Sequence, residues 1–197
     1  LVFLIAISIF GIVSLLSPKE YEIVVKSMPY VSRGGFKLKK ALETFDVVVK
    51  DRICFDAGAS TGGFTDCLLQ NGAKFVYAVD VGYGQLDWKI RSSDKVKTIE
   101  KTNLKICTKE DIYLENEPMA DLLVSDLSFI SLTKVLPNLK TLLNPKKHEM
   151  ICLIKPQFEA GKELVEKGGV VKDKKTHELV IMKVLACIRD LGYIVKG

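Results

Sequence analysis

Apolar and polar positions along the chain form blocks that predict strands followed by helices. Short, almost wholly apolar runs predict strands at Tyr21–Val25, Ile53–Asp56, Phe75–Asp80, Val96–Glu100, Asp121–Ser125, Met150–Ile154 and Tyr193–Val195. Apolar residues three and four positions apart predict helices at Gly35–Phe45, Phe64–Leu69, Thr133–Leu143 and Lys175–Leu191. This alternation is typical of an α/β domain in which helices cover both faces of a parallel sheet.

The beginning of the chain differs from the rest because Leu1–Leu16 carry no charge and are followed by Ser17 and Pro18. A bilayer-spanning helix needs about 20 apolar residues, and a secretory signal starts with a basic region. Three interpretations stay open: the end of a transmembrane or signal segment, a buried strand or helix, and an artefact of the gene model. We treat 1–18 as a separate apolar segment and 19–197 as one domain.

The composition fits one core-bearing domain of 197 residues, of which 48% are apolar. The formal charge of +5 only slightly favours a polyanionic partner. His148 and His177 lie near no cysteine or carboxylate cluster at metal-ligand spacing, so we expect no structural metal. The cysteines form no C-x-x-C pair and indicate reduced, buried thiols in the cytosol, at Cys54, Cys67, Cys107, Cys152 and Cys187.

A glycine-rich turn containing Gly58, Gly62 and Gly63 lies between a predicted strand and a predicted helix. Such a turn lets a nucleoside ligand approach the backbone, and Asp80 at the end of the next strand can accept hydrogen bonds from ribose hydroxyls. The turn has the sequence G-A-S-T-G-G, whereas dinucleotide sites prefer G-x-G-x-x-G. This difference and the preceding Asp56 favour S-adenosylmethionine, whose cationic methionine end a carboxylate can meet. The alternative is a capped turn that binds no ligand.

Six blocks of sequence carry a resemblance to a known family. They are 30–38 (YVSRGGFKL), 56–68 (DAGASTGGFTDCL), 79–86 (VDVGYGQL), 126–131 (DLSFIS), 155–161 (KPQFEAG) and 168–171 (GGVV). In this order they resemble the TlyA (hemolysin A) family within the FtsJ-like methyltransferases, over about residues 29–197. The resemblance implies a Rossmann-like S-adenosylmethionine-dependent methyltransferase sheet with incomplete C-terminal strands. It also implies 2′-O-methylation of ribosomal RNA at a cytidine.

The resemblance further implies a Lys-Asp-Lys-Glu tetrad, of which the motifs place three members at Lys37, Asp126 and Lys155. Asp126 and Lys155 follow predicted strands, and function in open α/β sheets gathers beyond the carboxyl ends of strands. A ribose hydroxyl needs a partner that accepts its proton. We therefore predict Lys155 as base or hydrogen-bond acceptor, Asp126 as the carboxylate that orients it, and Lys37 as a positioning cation. Taken singly, each could instead be a helix cap or a solvated surface charge.

The resemblance is incomplete at both ends of the chain. By comparison with the family, we expect a C-terminally truncated domain in which the tetrad glutamate is unassigned, and nothing in the sequence assigns that role to Glu159. Proteins of this family also carry a small N-terminal RNA-binding domain, in whose place this chain has the apolar segment.

The remaining predictions concern ligands. We expect the cofactor to contact Asp56, Gly58, Ala59, Ser60, Thr61, Gly62, Gly63, Phe64, Asp80, Asn103 and Asp126. We expect RNA phosphates to contact Arg33, Lys39 and Lys40, with further contacts from Lys162 and Lys167. Several aromatic residues are expected to pack in the core or against adenine rather than against bases, namely Tyr30, Phe36, Tyr83, Trp88 and Phe158. The expected partner is ribosomal RNA or a ribosomal subunit in the cytoplasm, and the oligomeric state stays open.

Two other functions compete with this interpretation. A membrane-active hemolysin is compatible with the apolar segment, but it would not need the cofactor turn or the three predicted catalytic residues. A NAD-dependent dehydrogenase could use the same sheet. The spacing of the glycine turn and the lack of a plausible histidine for hydride transfer disfavour that function.

Overall fold

The computed structural model describes residues 28–196, which contain a parallel sheet of five strands. The strands are β1 (Ile53–Ala57), β2 (Phe75–Val79), β3 (Val96–Ile99), β4 (Leu122–Ser125) and β5 (Glu149–Cys152). Their order across the sheet is β3-β2-β1-β4-β5. The predicted fold class is confirmed. The predicted strand Tyr21–Val25 and the apolar segment 1–18 lie outside the described residues.

Helices connect the strands within residues 28–196. They are α1 (Gly34–Thr44), α2 (Gly63–Gln70), α3 (Trp88–Arg91), α4 (Lys109–Ile112), α5 (Leu132–Thr141), α6 (Pro156–Glu159) and α7 (Lys174–Asp190), with a 3₁₀ turn at Lys162–Leu164. The four long helices α1, α2, α5 and α7 are those predicted from apolar spacing. The helices α3, α4 and α6 have four residues each and were not predicted. None of the described helices is long and apolar enough to cross a bilayer.

Successive strand residues enter two different cores, because a strand directs alternate side chains to opposite faces. Phe55 and Leu123 pack on the face covered by α5 and α7, whereas Cys54 and Leu122 pack on the face covered by α1 and α2. All four side chains are fully buried. Burying one side chain of the size of leucine stabilises a fold by roughly 1.5–3 kcal/mol, so both helix layers hold the sheet in place.

The N-terminus of α5 is fixed by two side chains. Ser131 Oγ accepts a hydrogen bond from the Thr133 N–H at 3.2 Å, which is the usual contact of a helix N-cap. The buried carboxylate of Glu159 accepts hydrogen bonds from the Leu132 N–H at 2.6 Å and from Ser131 Oγ at 2.5 Å. A carboxylate is favourable at this end of a helix dipole. Glu159 therefore holds α5, and its hydrogen bonds serve the fold.

The prediction of a strand at Tyr193–Val195 is wrong. These residues follow the end of α7 without regular structure, and the Tyr193 N–H donates to the Ile188 carbonyl at 3.2 Å, closing the helix. The Tyr193 hydroxyl also lies 2.6 Å from His148 Nε2, while Ile194 is almost fully exposed. The edge strand β5 lies nearby, because Lys196 Nζ is 3.7 Å from Glu149 Oε1, but Tyr193–Val195 form no ladder with it, and strand propensity alone does not produce one.

The topology leaves a crevice at the carboxyl edge of the sheet. From β1 the chain continues to β2 on one side, whereas β4 lies on the other side of β1 and continues to β5. Loops that leave β1 and β4 therefore diverge, and open α/β sheets bind their ligands at this kind of reversal.

Candidate active site

The glycine turn after β1 adopts a backbone that only glycine fits well at two positions. Gly58 has φ +87°, and a Cβ there would lie 3.0 Å from the Leu127 side chain. Gly62 has φ +93°, and a Cβ there would lie 2.9 Å from Leu86. A positive φ of this kind is strained for other residues, so both glycines fix the path of the turn into α2.

Gly63 serves a different purpose, because it allows α2 to approach the segment before α1. A Cβ on Gly63 would lie 2.2 Å from Ser32 Oγ and 3.0 Å from the Gly35 nitrogen. This close approach places α1, and therefore Lys37, beside the glycine turn.

A cleft of about 540 Å³ opens between this turn, α1 and the loop after β4. Its lining includes seven of the predicted cofactor residues, namely Gly58, Ala59, Ser60, Thr61, Gly63, Phe64 and Asp126. The other lining residues are Ser32, Arg33, Gly34, Lys37, Ser128 and Lys155. Four residues predicted to bind the cofactor do not line this cleft: Asp56, Gly62, Asp80 and Asn103.

Asp80 lies in a smaller recess that shares Ala59 and Ser60 with the cleft. Its carboxylate accepts hydrogen bonds from the Ser60 N–H at 2.8 Å and the Gly82 N–H at 2.7 Å. It thereby joins the glycine turn to the loop after β2. Carboxylate lone pairs that these bonds do not use can still accept hydrogen bonds from a ribose.

Glu100, which the sequence analysis missed, closes the same recess from the end of β3. Its carboxylate accepts hydrogen bonds from the Gly84 N–H at 2.8 Å and from the Arg91 guanidinium. Although desolvation opposes the ionised form, these two donors lower the pKa of Glu100. The ionised carboxylate thus anchors the loop after β2. No short motif in the sequence marks this role.

Asp56 lies beneath the glycine turn, fully buried. The Thr65 hydroxyl donates to its Oδ2 at 2.6 Å, and its buried Oδ1 has no partner among the described residues. Burial raises the pKa of Asp56 to about 7, against the opposing effect of the hydrogen bonds from Thr65. The nearby carboxylates of Asp126 and Asp80 raise it further. Asn103 is exposed after β3, where its Oδ1 accepts from the Lys105 N–H at 3.0 Å.

The structure brings the three predicted catalytic residues together from three separate elements. Lys37 on α1 donates from Nζ to Asp126 Oδ2 at 3.0 Å. Lys155, the residue before α6, places Nζ 2.6 Å from Asp126 Oδ1, an ion pair without the direction of a hydrogen bond. Asp126 follows β4 and lies between the two ammonium groups. The side chains of Asp126 and Lys155 are about four-fifths buried, whereas half of the Lys37 side chain is exposed.

These positions weigh against the simpler interpretations of the same residues. Asp126 does not cap α5, because Ser131 and Glu159 do so. Lys155 precedes α6, but its ammonium group points to Asp126 and Ser128. No glutamate is among the described residues that line the cleft.

Two residues beside Asp126 were also missed by sequence reasoning. Ser128 Oγ accepts a hydrogen bond from Lys155 Nζ at 2.7 Å. Phe129 is 91% exposed, has φ +64°, and its ring centroid lies 5.1 Å from that of Phe158. Their only sequence signal is their position in the block that contains Asp126. Neither residue type would suggest a site by itself.

The residues predicted to contact RNA are exposed, but only one of them lines the cleft. Arg33 lines the cleft, and Lys40 is exposed on α1. Lys39 forms an ion pair with Glu43 at 3.0 Å. Lys162 and Lys167 are exposed after α6.

Of the two expected settings of the aromatic residues, the structure tests packing in the core, whereas packing against adenine stays a prediction. Tyr30 is buried and contacts Phe36 edge to face, at a centroid distance of 5.4 Å. Tyr83 and Trp88 are 71% and 75% exposed, so they pack in no core. Lys101 Nζ lies 4.5 Å above the Tyr83 ring, at a distance typical of a cation–π contact.

The five cysteines are free thiols, of which Cys54, Cys67 and Cys107 are buried and Cys152 and Cys187 are partly buried. Burial raises the pKa of Cys54 and Cys152 to about 12, which keeps both protonated and unreactive. Within residues 28–196, no group of three or more histidine, cysteine, aspartate or glutamate side chains is arranged to hold a metal ion.

The parallel sheet, the glycine turn and the cleft above them define a Rossmann-like methyltransferase domain. Residues 30–195 match the model of the FtsJ-like methyltransferase family, and the chain belongs to that family. It is 50% identical to YqxC of Bacillus subtilis over 91% of this chain and 63% of YqxC. It is 46% identical to the 16S/23S rRNA (cytidine-2′-O)-methyltransferase TlyA of Mycobacterium tuberculosis over 83% of this chain and 59% of that protein. The predicted membership of the TlyA family is confirmed.

A solved structure from Lactococcus lactis has the same fold. It is 47% identical to this chain, with a TM-score of 0.79 over 84% of this chain and 77% of the other. The chain spans less than two thirds of the length of YqxC and of the Mycobacterium tuberculosis TlyA.

Proposed function

We propose that this chain contains the catalytic domain of a ribosomal RNA 2′-O-methyltransferase, formed by residues 19–197. The observation that carries the proposal is the contact of Asp126 with both Lys37 and Lys155 at the mouth of the cleft. Charged side chains from three elements converge there next to a glycine turn that leaves room for a ligand. The cytidine named for the Mycobacterium tuberculosis relative is the nucleotide that we propose as the target.

The residues present fit S-adenosylmethionine, the methyl donor implied by the family. The glycine turn lines the cleft with backbone at Gly58 and Gly63, and the carboxylates of Asp80 and Asp126 suit a ribose diol and a cationic ligand. We assign the ribose hydroxyls to the carboxylate of Asp80 and the rest of the cofactor to the cleft of about 540 Å³, with its methionine end toward Asp126. When bound, S-adenosylmethionine would supply a methyl group that is electrophilic because it is attached to a sulfonium, and the bond from that carbon to sulfur would break with its electron pair left on sulfur.

In the proposed mechanism the chain orients a ribose hydroxyl and takes its proton. Lys155 in its neutral form accepts the proton as the 2′-oxygen forms its bond to carbon. Asp126 holds the resulting ammonium, and Lys37 holds Asp126 from the other side. Water is partly excluded, because Lys155 and Asp126 are mostly buried. The attacking oxygen thus meets a base whose position is already fixed.

RNA capture would depend on phosphate contacts around the cleft. Arg33 lies in the cleft wall and Lys39 and Lys40 follow on the exposed face of α1, so the three charges can follow a strand of RNA into the site. Phe129 presents an exposed ring beside Ser128, and aromatic rings of this kind stack against unpaired bases. A ribosomal substrate would place the protein in the cytoplasm.

The test is a methyl-transfer assay with radiolabelled S-adenosylmethionine and unmodified ribosomal RNA, followed by mapping of 2′-O-methylated nucleotides. We expect incorporation at cytidine by the wild type and a loss of at least 100-fold in Lys155→Ala. Lys50→Ala, an exposed lysine near the amino end of β1, is the matched control and should retain activity. Methylation of a base, or equal rates in Lys155→Ala and the wild type, would contradict the proposal.

Two parallel measurements address the competing functions. Calorimetric titration should show binding of S-adenosylhomocysteine and no binding of NAD. Erythrocyte lysis by both the wild type and Lys155→Ala, without methyl transfer by either, would favour a membrane activity instead.

A further inference from the structure

Ser128 is in direct contact with the side chain that we propose as the base. Three oxygen atoms lie within 3.2 Å of Lys155 Nζ: Asp126 Oδ1 at 2.6 Å, Ser128 Oγ at 2.7 Å and the Asp126 carbonyl at 3.2 Å. The ring of Phe158 lies on a further side, with its centroid 5.8 Å from Nζ. Ser128 also lines the cleft. Of the three oxygens, only Ser128 Oγ carries a hydrogen that it can donate.

The chemistry of these three oxygens differs when the lysine changes its charge. The ammonium form donates hydrogen bonds to Ser128 Oγ and to the Asp126 carbonyl, and its charge is paired with Asp126 Oδ1. A neutral amine has two hydrogens and one lone pair, and only a donor can form a hydrogen bond to that lone pair. A carboxylate and a carbonyl can only accept, whereas a hydroxyl can also donate. Among the described partners of Nζ, Ser128 alone can therefore match both forms of Lys155.

The turn after β4 holds Ser128 in this position from both sides. Before it, Asp126 is bound by Lys37 and Lys155. After it, Ser131 is bound by Glu159 at the start of α5. The intervening Phe129 has a left-handed backbone, with φ +64°. This conformation is unfavourable for a residue with a Cβ unless the surrounding structure holds it. The position of Ser128 Oγ is thus fixed by charged contacts at either end of a short turn.

We propose that Ser128 is a positioning residue, which keeps Lys155 Nζ directed into the cleft by accepting a hydrogen bond from its ammonium form and donating one to its neutral form. A ribose hydroxyl that enters the cleft then replaces Ser128 as the donor to the amine. The inference rests on the proposed function, because it assigns to Ser128 the orientation of the proposed base. Ser128 itself forms no bond to substrate atoms in this step.

The test compares Ser128→Ala with Ser128→Thr, which keeps a hydroxyl. We expect Ser128→Ala to lower kcat by about 10-fold with KM for RNA changed less than 2-fold, because a group acting through the base affects turnover rather than binding. Ser128→Thr should restore at least half of the activity. Ser92→Ala, at an exposed serine that ends α3, is the matched control and should behave as wild type.

A second readout does not depend on activity. In ¹⁵N-labelled protein, the ammonium signal of Lys155, assigned by its loss in Lys155→Arg, should exchange with water several-fold faster in Ser128→Ala than in the wild type. Ser128→Thr should exchange at the wild-type rate. Unchanged exchange in Ser128→Ala, or equal kcat in Ser128→Ala and wild type, would overturn the inference. If the wild type transfers no methyl group, the proposed function fails, and the exchange rates still decide whether Ser128 holds Lys155.

Discussion

At the scale of single residues, the site depends on carboxylates in different environments. Asp80 and Asp126 are partly exposed and each accepts hydrogen bonds or ion pairs from two directions. Asp56 is fully buried with one oxygen unpartnered. The same side-chain type therefore supplies one carboxylate to the cleft, one to the smaller recess and one that is buried beneath the turn.

The burial of Asp56 predicts a pH-dependent stability. Its pKa is about 7 in the folded chain and 3.8 as a free side chain, so the folded form retains a proton that the unfolded form loses. The contribution of Asp56 to the free energy of unfolding should therefore fall as the pH rises from about 4 to 7, by an amount on the order of 4 kcal/mol at most, whereas carboxylates with lowered pKa values, such as Glu100 and Glu149, contribute in the opposite direction. Asn cannot ionise, so Asp56→Asn should remove this fall, as measured by urea unfolding at pH 4, 5.5 and 7.

The matched control for this measurement is Asp51→Asn, at an exposed position before β1. Its stability should follow the wild-type dependence on pH. Parallel curves for Asp56→Asn and wild type would show that Asp56 is ionised in the fold throughout this range.

Phe129 predicts a conflict between stability and function. Its left-handed backbone costs a residue with a Cβ roughly 1–2 kcal/mol relative to glycine. Phe129→Gly should therefore be more stable than Phe129→Ala by about 1 kcal/mol in thermal or urea unfolding. Both variants lose the exposed ring, so both should lower kcat/KM for ribosomal RNA by about 10-fold while S-adenosylhomocysteine affinity is unchanged. Equal RNA methylation by wild type and both variants would show that the ring takes no part in substrate binding.

At the scale of elements, the loop after β2 is shaped by contacts from both of its neighbours. Asp80 binds the Gly82 N–H, Glu100 binds the Gly84 N–H, and Arg91 on α3 holds Glu100. The four-residue helix α3 thus contributes to the site through the Arg91 guanidinium, and its Ile90 packs beside the glycine turn. Without Glu100, Gly84 would be free to move because its φ of +68° is easily varied in glycine.

This arrangement predicts that Glu100→Gln weakens nucleoside binding. Glutamine cannot form the ion pair with Arg91, so the loop should lose its anchor and S-adenosylhomocysteine should bind about 5- to 10-fold more weakly in calorimetry. Glu115→Gln, exposed before β4, is the control and should bind as wild type does. Unaltered affinity in Glu100→Gln would show that the loop keeps its shape without this carboxylate.

The elements also show what the sequence can and cannot predict. Buried strands and long helices follow from apolar spacing, because packing against two cores requires that spacing. The short helices α3, α4 and α6 have only one turn and thus no period to detect. The strand predicted at Tyr193–Val195 is not formed, because strand propensity does not say whether a segment pairs with the edge of a sheet.

In the candidate site, too, some residues could be predicted from the sequence and others could not. The glycine turn and Asp80 were predictable because their chemistry requires them at a fixed place in a β-α-β unit. Lys37, Asp126 and Lys155 were predicted only through the family motifs. Ser128 and Glu100 were missed because their roles depend on contacts with Lys155 and Arg91, which are distant or unmarked in the sequence.

At the scale of the whole molecule, basic residues lie both near the carboxyl ends and near the amino ends of the strands. At the carboxyl edge, Arg33 lies in the cleft wall and Lys40 on the exposed side of α1. Near the amino ends of β1 and β2, Lys50 and Lys74 are also exposed. The net charge of +5 does not say which of these two surfaces binds RNA. The proposed function assigns RNA binding to the surface with Arg33 and Lys40.

Salt dependence can separate a defined RNA surface from general attraction. Each phosphate contact contributes about 0.7–0.9 to the slope of log K against log salt concentration. Arg33→Ala/Lys40→Ala should therefore reduce the slope for ribosomal RNA binding by about 1.4–1.8. Lys50→Ala/Lys74→Ala also removes two positive charges and should leave the slope nearly unchanged, because the proposed RNA surface does not include those lysines. Equal reductions in both double variants, measured by filter binding from 50 to 300 mM salt (about the range over which such slopes are linear), would mean that RNA is attracted by net charge, and the surface beside the cleft would lose its assignment.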